Sequence, residues 1–406
     1  MRWRSRPRPE AGRREYLPPA SDIAPGGTDG PGPWAGYGRG AVILRAEREL
    51  REITLSTALW VKATVGGLKL PHRLVMAPMT RNRSTPDGIP TQLNATYYAQ
   101  RAALGLLISE GTQPCADGQG YPLTPGIYTP EQVDGWRRVA DSVHQAGGHL
   151  FIQLMHAGRI SHPANTPFGR QPVAPSAVPP AHLIFTTAGP QPMPVPHAMS
   201  EEEIHATVDH FRHAAAAAMA AGADGVEIHA GNGYLLHQFL SDNVNQRTDA
   251  YGGTIAGHIR FAVEVAHAVV GEIGAERTGV RISPGNTFND IIEGDPGPVY
   301  AALVRALAAL ELAYLHLVSR GEDGLAMALR RAWPGTVILN RPGAEIEARA
   351  ADVETGLADL VSVGTLALAN PDLVARLRAG VELNEPDPAT FYGGDHRGYT
   401  DYPYVP

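Results

Sequence analysis

Residues 200–234 read SEEEIHATVDHFRHAAAAAMAAGADGVEIHAGNGY, and this stretch decides the fold. Ser200 followed by Glu201, Glu202 and Glu203 is a helix start: the hydroxyl caps free amides and the acids suit the positive end of the helix dipole. A helical pattern then runs over Glu201–Ala221. After a glycine-bearing turn, Gly225–His229 is a short apolar run of strand length, and it ends in a polar sequence, Ala230-Gly231-Asn232-Gly233-Tyr234. A capped helix followed by a buried strand with a polar end is one repeat of a β/α architecture.

The repeat recurs in both directions. Strands are predicted at Leu74–Pro78, Gly105–Glu110, His149–Met155, Gly225–His229, Gly279–Ser283, Tyr314–Val318, Thr336–Asn340 and Leu360–Gly364. Helices are predicted at Pro130–Ala146, Glu201–Ala221, Ile255–Ile273, Pro298–Leu310 and Ala344–Glu354. Eight strands alternating with helices imply an α/β fold, a (β/α)8 TIM barrel. A doubly wound sheet is the runner-up, disfavoured because no strand is followed by a G-x-G-x-x-G turn. Residues 156–199, rich in Pro, Gly, Ser and His, form a long loop or inserted subdomain after the third strand. The tail from Asn384 is expected to wrap the barrel.

Residues 1–50 differ in texture: Arg2, Arg4, Arg6, Arg8, Arg13 and Arg14 stand among Pro and Gly with few aliphatic residues. Such a segment cannot bury enough surface to offset its chain entropy, so it is expected to be disordered or to reflect a start placed too far upstream. Residues 51–406 then make up the barrel. A net charge of -7 argues against nucleic-acid binding, and one cysteine, Cys115, rules out an internal disulfide and a cysteine-ligated metal or cluster. No apolar run reaches membrane-span length and no secretory leader is seen, so a cytoplasmic protein with no membrane partner is expected.

Barrel chemistry sits at the C-terminal ends of the strands. Those ends carry Thr80 and Arg81, Glu110 to Gln113, Gln153 and His156 to Arg159, His229 with Asn232 and Tyr234, Arg281, Asn340 with Arg341, and Gly364 with Thr365. Polar side chains inside apolar strands are costly unless paired, and here they gather at one end. Donors outnumber acids, which suits an electron-rich, carbonyl-bearing ligand. No carboxylate pair is placed for glycoside hydrolysis, no G-x-S-x-G elbow occurs, and no metal site is expected.

Several segments carry a more specific pattern: Met76-Ala77-Pro78-Met79-Thr80-Arg81, Ile108 to Gln113, Gln153 to Arg159, HAGNGYLLHQFLS from His229, NQRTDAYGG from Asn245, Ala369-Asn370-Pro371-Asp372, and Phe391-Tyr392-Gly393-Gly394 with Gly398 to Tyr402. In this order and spacing they resemble the old yellow enzyme family from about Leu55 to Tyr402. The resemblance implies FMN above the barrel mouth, NADH or NADPH as reductant, and hydride transfer to an activated alkene such as an enone, enal or maleimide. It implies that Pro78, Thr80, Gly111, Gln153 and Arg281 meet the flavin ring, with Thr80 at the O4 side, Gln153 at the pyrimidine edge and Arg281 near N1 and O2. His229 and Asn232 would hold the substrate carbonyl, Tyr234 would donate the proton, and Tyr121, Met155 and Tyr392 would shape the substrate pocket. Cys115 is expected to be a small buried hydrophobe, and His156 and Arg159 to order loops. Thr80 marks the chain as similar to the Thr-type group, whose members occur as monomers or as homodimers and larger assemblies.

The chain departs from that pattern at the phosphate turns. Asn340-Arg341-Pro342-Gly343 replaces a run of small glycines, and Gly364-Thr365 replaces Gly-Arg. The expectation drawn from this is that Arg341 acts as a relocated phosphate cation. Thr254-Ile255-Ala256-Gly257-His258 is expected to weaken a helix start, and Met155, flexible where relatives carry an aromatic, to admit bulkier substrates. A flavin-dependent isomerase or tailoring oxidoreductase and a degenerate, flavin-free binding barrel stay open as alternatives.

Overall fold

The computed structural model describes residues 57–321 and 323–405; the predicted N-terminal extension, 1–50, lies outside them. All eight predicted strands form: β1 (Leu74–Met76), β2 (Leu106–Ile108), β3 (His149–Leu154), β4 (Gly225–Ala230), β5 (Thr278–Ile282), β6 (Tyr314–Val318), β7 (Val337–Asn340) and β8 (Leu360–Val363). They close in chain order into a barrel, every pair parallel, with β8 bonded to β1. Each strand is buried on both faces, which is why its sequence is mostly apolar, broken by single polar residues, rather than alternating.

The helices run α1 (Gln92–Gln100), α2 (Pro130–Gln145), α3 (Glu201–Ala220), α4 (Ile255–Ile273), α5 (Pro296–Ala308), α6 (Asp323–Ala332), α7 (Ile346–Glu354) and α8 (Leu373–Ala379). Two begin away from the expected residue, and the start of a third differs in strength from expectation. Helix α5 starts two residues early because Asp295 caps it, accepting from the Gly297 amide, with Pro296 in the first turn. Helix α7 starts at Ile346 rather than Ala344. The start of α4 is not weakened as expected: the Thr254 hydroxyl accepts from the Gly257 amide, and His258 Nδ1 lies 3.1 Å from the Leu240 carbonyl. Helix α1 escaped prediction because it buries Asn94 beside Ala95, Tyr97 and Tyr98 and so has no clean apolar stripe; a reciprocal Thr91–Asn94 cap starts it.

Below the strands, a hairpin of Ala63–Val65 and Leu68–Leu70 stops the barrel. Its Val65 and Leu70 are fully buried with Val75, Leu106, Ile108, Phe151, Tyr314, Ile338 and Leu360. Burying each such aliphatic side chain stabilises by about 1.5–3 kcal/mol. The lower barrel is therefore a dry, packed core, and polar chemistry is confined to the upper end.

Two features shape that upper end. Residues 156–199 fold into two small sheets, Val173–Ala174 with His197–Ala198 and a hairpin of Leu183–Thr186 with Gly189–Pro192. The tail wraps the barrel, held by three buried arginines that donate to its carbonyls. Arg81 reaches Phe391 and Gly398, Arg83 reaches Thr390 and Asp395, and Arg101 reaches Tyr399 and, outside the tail, Leu368. Tyr399 stacks on Tyr97 of α1 at 4.0 Å between ring centres, and the arginines sit over these rings.

Candidate active site

A cavity of about 430 Å3 opens at the C-terminal end of β1, within the range of small-molecule sites. Its walls include Met79, Leu123, Phe185, Phe288, Leu368 and Phe391, and its polar groups include Thr80, Tyr121, Tyr234, Thr365 and Tyr392. Pro78 completes the β1 edge. Phe185 comes from the hairpin and Tyr392 from the tail, so the additions to the barrel close the site from above.

The turn after β4 is built to hold its side chains still. His229 lies in register with Arg281 on β5. Asn232 and Gly233 follow with φ of 53° and 76°, in the left-handed region. A side chain at Gly233 would lie 2.4 Å from the Asn289 side chain, so only glycine fits. The Asn232 amide donates to Ser283 Oγ at 2.7 Å and its carbonyl accepts from Asn289 at 2.8 Å. Asn286 donates to Asn232 Oδ1 at 2.9 Å, which leaves the Asn232 side-chain nitrogen to donate elsewhere. Below, the Gly233 amide donates to His237 Nδ1, and His237 is tied in turn to Glu293 and Tyr300.

Both ionisable groups of this turn are held neutral. Burial, assisted by the Arg281 charge, pushes His229 well below the usual histidine range. Its Nδ1 is buried without a protein partner, the kind of costly vacancy that a ligand fills. Burial raises the Tyr234 phenol above its ordinary value, so it stays protonated. Tyr234 and Tyr121 hydroxyls lie 3.2 Å apart with their rings edge to face. Tyr392 is pushed up to about 12 by burial and by Tyr234.

Beneath the turn, six inward side chains form one buried hydrogen-bonded plug. Gln153 Nε2 donates to Glu227 at 2.8 Å, and His316 Nδ1 lies 2.7 Å from the other Glu227 oxygen. His316 Nε2 is 2.8 Å from Ser362 Oγ and 2.8 Å from Arg281 Nη1. Asn340 donates to Ser362 Oγ at 3.0 Å and accepts from Arg281 at 3.4 Å. Burial would raise Glu227, but His316, Arg281 and Gln153 outweigh it and hold the carboxylate below its usual range. Burial and Arg281 lower His316 to about 4, so it is neutral.

The β7–β8 rim is different. Arg341 is not free: it forms two bonds to Asp352, at 2.7 and 2.8 Å, and a third contact to Asp323 at 2.8 Å. One cation between two carboxylates has no surplus charge for a phosphate, which argues against the relocated-cation expectation. Gly364 caps a short helix, Thr365–Ala369, and Thr365 faces the cavity. Asn340 belongs to the plug rather than to a phosphate turn.

Of the sequence candidates, Pro78, Thr80, Tyr121, Tyr234, Thr365 and Tyr392 line the cavity together. His229 is adjacent, its ring 5.3 Å from that of Tyr234. Gln153, Arg281 and Asn340 meet in the plug. Met155 is buried against Gly111, where a Cβ would lie 2.6 Å from the sulfur, and packs with Tyr121 and Tyr234. It shapes the pocket from behind its walls. His156, lowered to about 3 by burial, and Arg159, bonded to the Val178, Asn289 and Asp290 carbonyls, order loops.

Sequence reasoning missed Glu227, His316 and Ser362. Each is a lone polar residue in the middle of an apolar strand, and that was the available signal. It also missed Ser283, Asn286 and Asn289, which lie in ordinary-looking loops.

The upper end of the barrel fits a flavin ring: the plug offers a buried cation and an amide with a spare acceptor, and above it His229 is neutral with an open nitrogen. Fold and site together define a flavin-dependent oxidoreductase barrel. The model of the NADH:flavin oxidoreductase / NADH oxidase family matches residues 60–384. The chain belongs to this family, that of the old yellow enzymes, and is an FMN-dependent oxidoreductase. It is 45% identical over 355 residues to a Leishmania infantum protein described as a probable flavin mononucleotide-dependent alkene reductase, covering 84% of this chain and 96% of that one. Similarity to 12-oxophytodienoate reductase 7 of Oryza sativa subsp. japonica is 41% identity, covering 83% and 92%. A solved structure of morphinone reductase in complex with tetrahydroNAD superposes with a TM-score of 0.82 at 40% identity, covering 86% and 98%. Among the described residues, no helix is long and apolar enough to cross a membrane.

Proposed function

We propose that the protein is an ene-reductase that uses NADPH or NADH to saturate the C=C bond of an activated alkene, an enone, enal or maleimide. When bound, FMN would supply the hydride chemistry between the nicotinamide and the alkene β-carbon. Gln153 and Arg281 are the residues to hold its pyrimidine edge, and Thr80 its other flank. His229 and Asn232 orient the substrate by donating to its carbonyl oxygen. As that oxygen gains enolate character, donors already fixed in place stabilise it more than they stabilise the ground state, by about 2.7–4 kcal/mol per donor. Tyr234 then supplies a proton to the α-carbon, and Tyr121, 3.2 Å away, orients its hydroxyl.

The observation that carries this reading is the neutral, buried His229 with an open Nδ1 beside a phenol that stays protonated. The apolar walls, from Phe185 to Phe391, favour a bulky uncharged substrate. The single cysteine, Cys115, is buried and pushed up to about 12, so it is an inert thiol, and the cytoplasm is the compartment proposed. Visible spectroscopy of the purified, FMN-reconstituted protein tests the proposal. A retained flavin band should bleach anaerobically with NADPH and return on adding 2-cyclohexenone. A band that bleaches but is not restored by any enone would overturn the substrate class, and failure to retain flavin would overturn the whole reading.

A further inference from the structure

The hydrogen-bond pattern of the plug allows one proton arrangement. A carboxylate only accepts, so the Gln153 atom facing Glu227 is the nitrogen, as placed, and Gln153 Oε1 is left as an acceptor. For the same reason His316 carries its proton on Nδ1, toward Glu227. Its Nε2 then accepts from Arg281 Nη1 and shares that lone pair with Ser362 Oγ, which itself accepts from Asn340. The neutral imidazole thus lies between a fixed anion, Glu227, and a fixed cation, Arg281.

Two consequences follow for a ring bound above. The pyrimidine edge of an isoalloxazine carries an N–H between two carbonyls, and the Gln153 acceptor matches that N–H, whereas a flipped amide would set donor against donor. A reduced flavin also carries more negative charge than an oxidised one, so Arg281 favours it selectively, and a carboxylate linked to that cation opposes the preference. In this low-dielectric interior neither charge is screened by water.

We propose that Glu227 and His316 are positioning residues for the flavin: Glu227 fixes Gln153 as an acceptor and offsets Arg281, and so sets how much more tightly the site holds reduced FMN than oxidised FMN. The proposal rests on the FMN reading above. Binding of FMN to the unaltered protein tests that reading separately, because loss of flavin there fails the reading, while a change confined to variants bears on the proposal.

The test is the ratio of reduced to oxidised FMN affinity in the holoenzyme, from flavin fluorescence titration and an equilibrium redox titration. Glu227→Gln removes the charge and keeps the shape. The ratio should rise about tenfold, equivalent to about 30 mV toward positive potential for a two-electron couple. His316→Gln keeps both charges and should weaken both flavin forms alike, leaving the ratio within about twofold, as expected for a lost neutral hydrogen bond. No shift in Glu227→Gln, a negative shift, or equal shifts in both variants would overturn the proposal. Should Glu227→Gln not fold, Gln153→Leu leaves the carboxylate without its amide cover. The ratio should then fall several-fold, and an unchanged or higher ratio would overturn it.

Discussion

The two sides of the barrel mouth spend their charges in opposite ways. On the β3–β6 side, Arg281 and Glu227 are separated by a neutral histidine, and the surrounding side chains keep donors and acceptors for a ligand. On the β7–β8 rim, Arg341 is gripped directly by Asp352 and Asp323. A cation held through a neutral spacer still projects its field, whereas one clamped between two acids is a local fastener joining α6 to α7. On the proposed reading, the same residue type at the same end of the same barrel faces the ligand on one side and fastens helices on the other. What separates the cases is how many carboxylates lie within reach.

This contrast is open to measurement. The largest effect is expected at Tyr234→Phe: alkene reduction should slow by about 10²–10⁴, while reduction of the flavin by NADPH keeps its rate. Stopped-flow separation of the two half-reactions checks this, and an unchanged second half-reaction would remove Tyr234 as the acid. His229→Ala should lower the same half-reaction by about 10²–10³, the usual loss for one oxyanion donor.

On the β2 flank, Glu110 offers a buried carboxylate with the opposite fate to Glu227. Burial pushes it up to about 7 despite the Arg81 amide at 3.0 Å. Its folded value lies above its unfolded value of 4.5, so its contribution is fully present below pH 4.5 and is lost as pH rises through about 7. The loss is on the order of 3 kcal/mol. Urea unfolding from pH 4.5 to 8.5 should show this decline in the parent protein and a flatter profile in Glu110→Gln; parallel profiles would contradict it. The smallest effect belongs to the rim. Arg341→Ala should cost about 1 kcal/mol of stability and change the FMN Kd by less than about threefold. A tenfold loss of FMN affinity would instead restore Arg341 as a phosphate ligand and erase the contrast.

The barrel was legible because each strand is a short, mostly apolar run and most helices carry caps, as at Ser200 and Thr129. Helix α1 was not, since its buried face includes Asn94. The candidate catalytic turn could be read because His229, Asn232 and Tyr234 stand within six consecutive residues. Their supports could not, because Ser283, Asn286 and Asn289 reach the turn across more than fifty residues of chain. The fate of Arg341 was hidden for a related reason. Arginine in a turn looks the same whether its partners are a ligand or two aspartates brought in by separate helices.

The arginine-held tail has a bearing on biosynthesis. Phe391 and Tyr392 form part of the cavity wall, yet they are added after every barrel strand has been made. At about 5–20 residues per second, the last strand precedes them by a few seconds of translation. That wall is in place only when Arg81, Arg83 and Arg101 hold these late-made carbonyls, so the completeness of the cavity depends on the tail as much as on the strands.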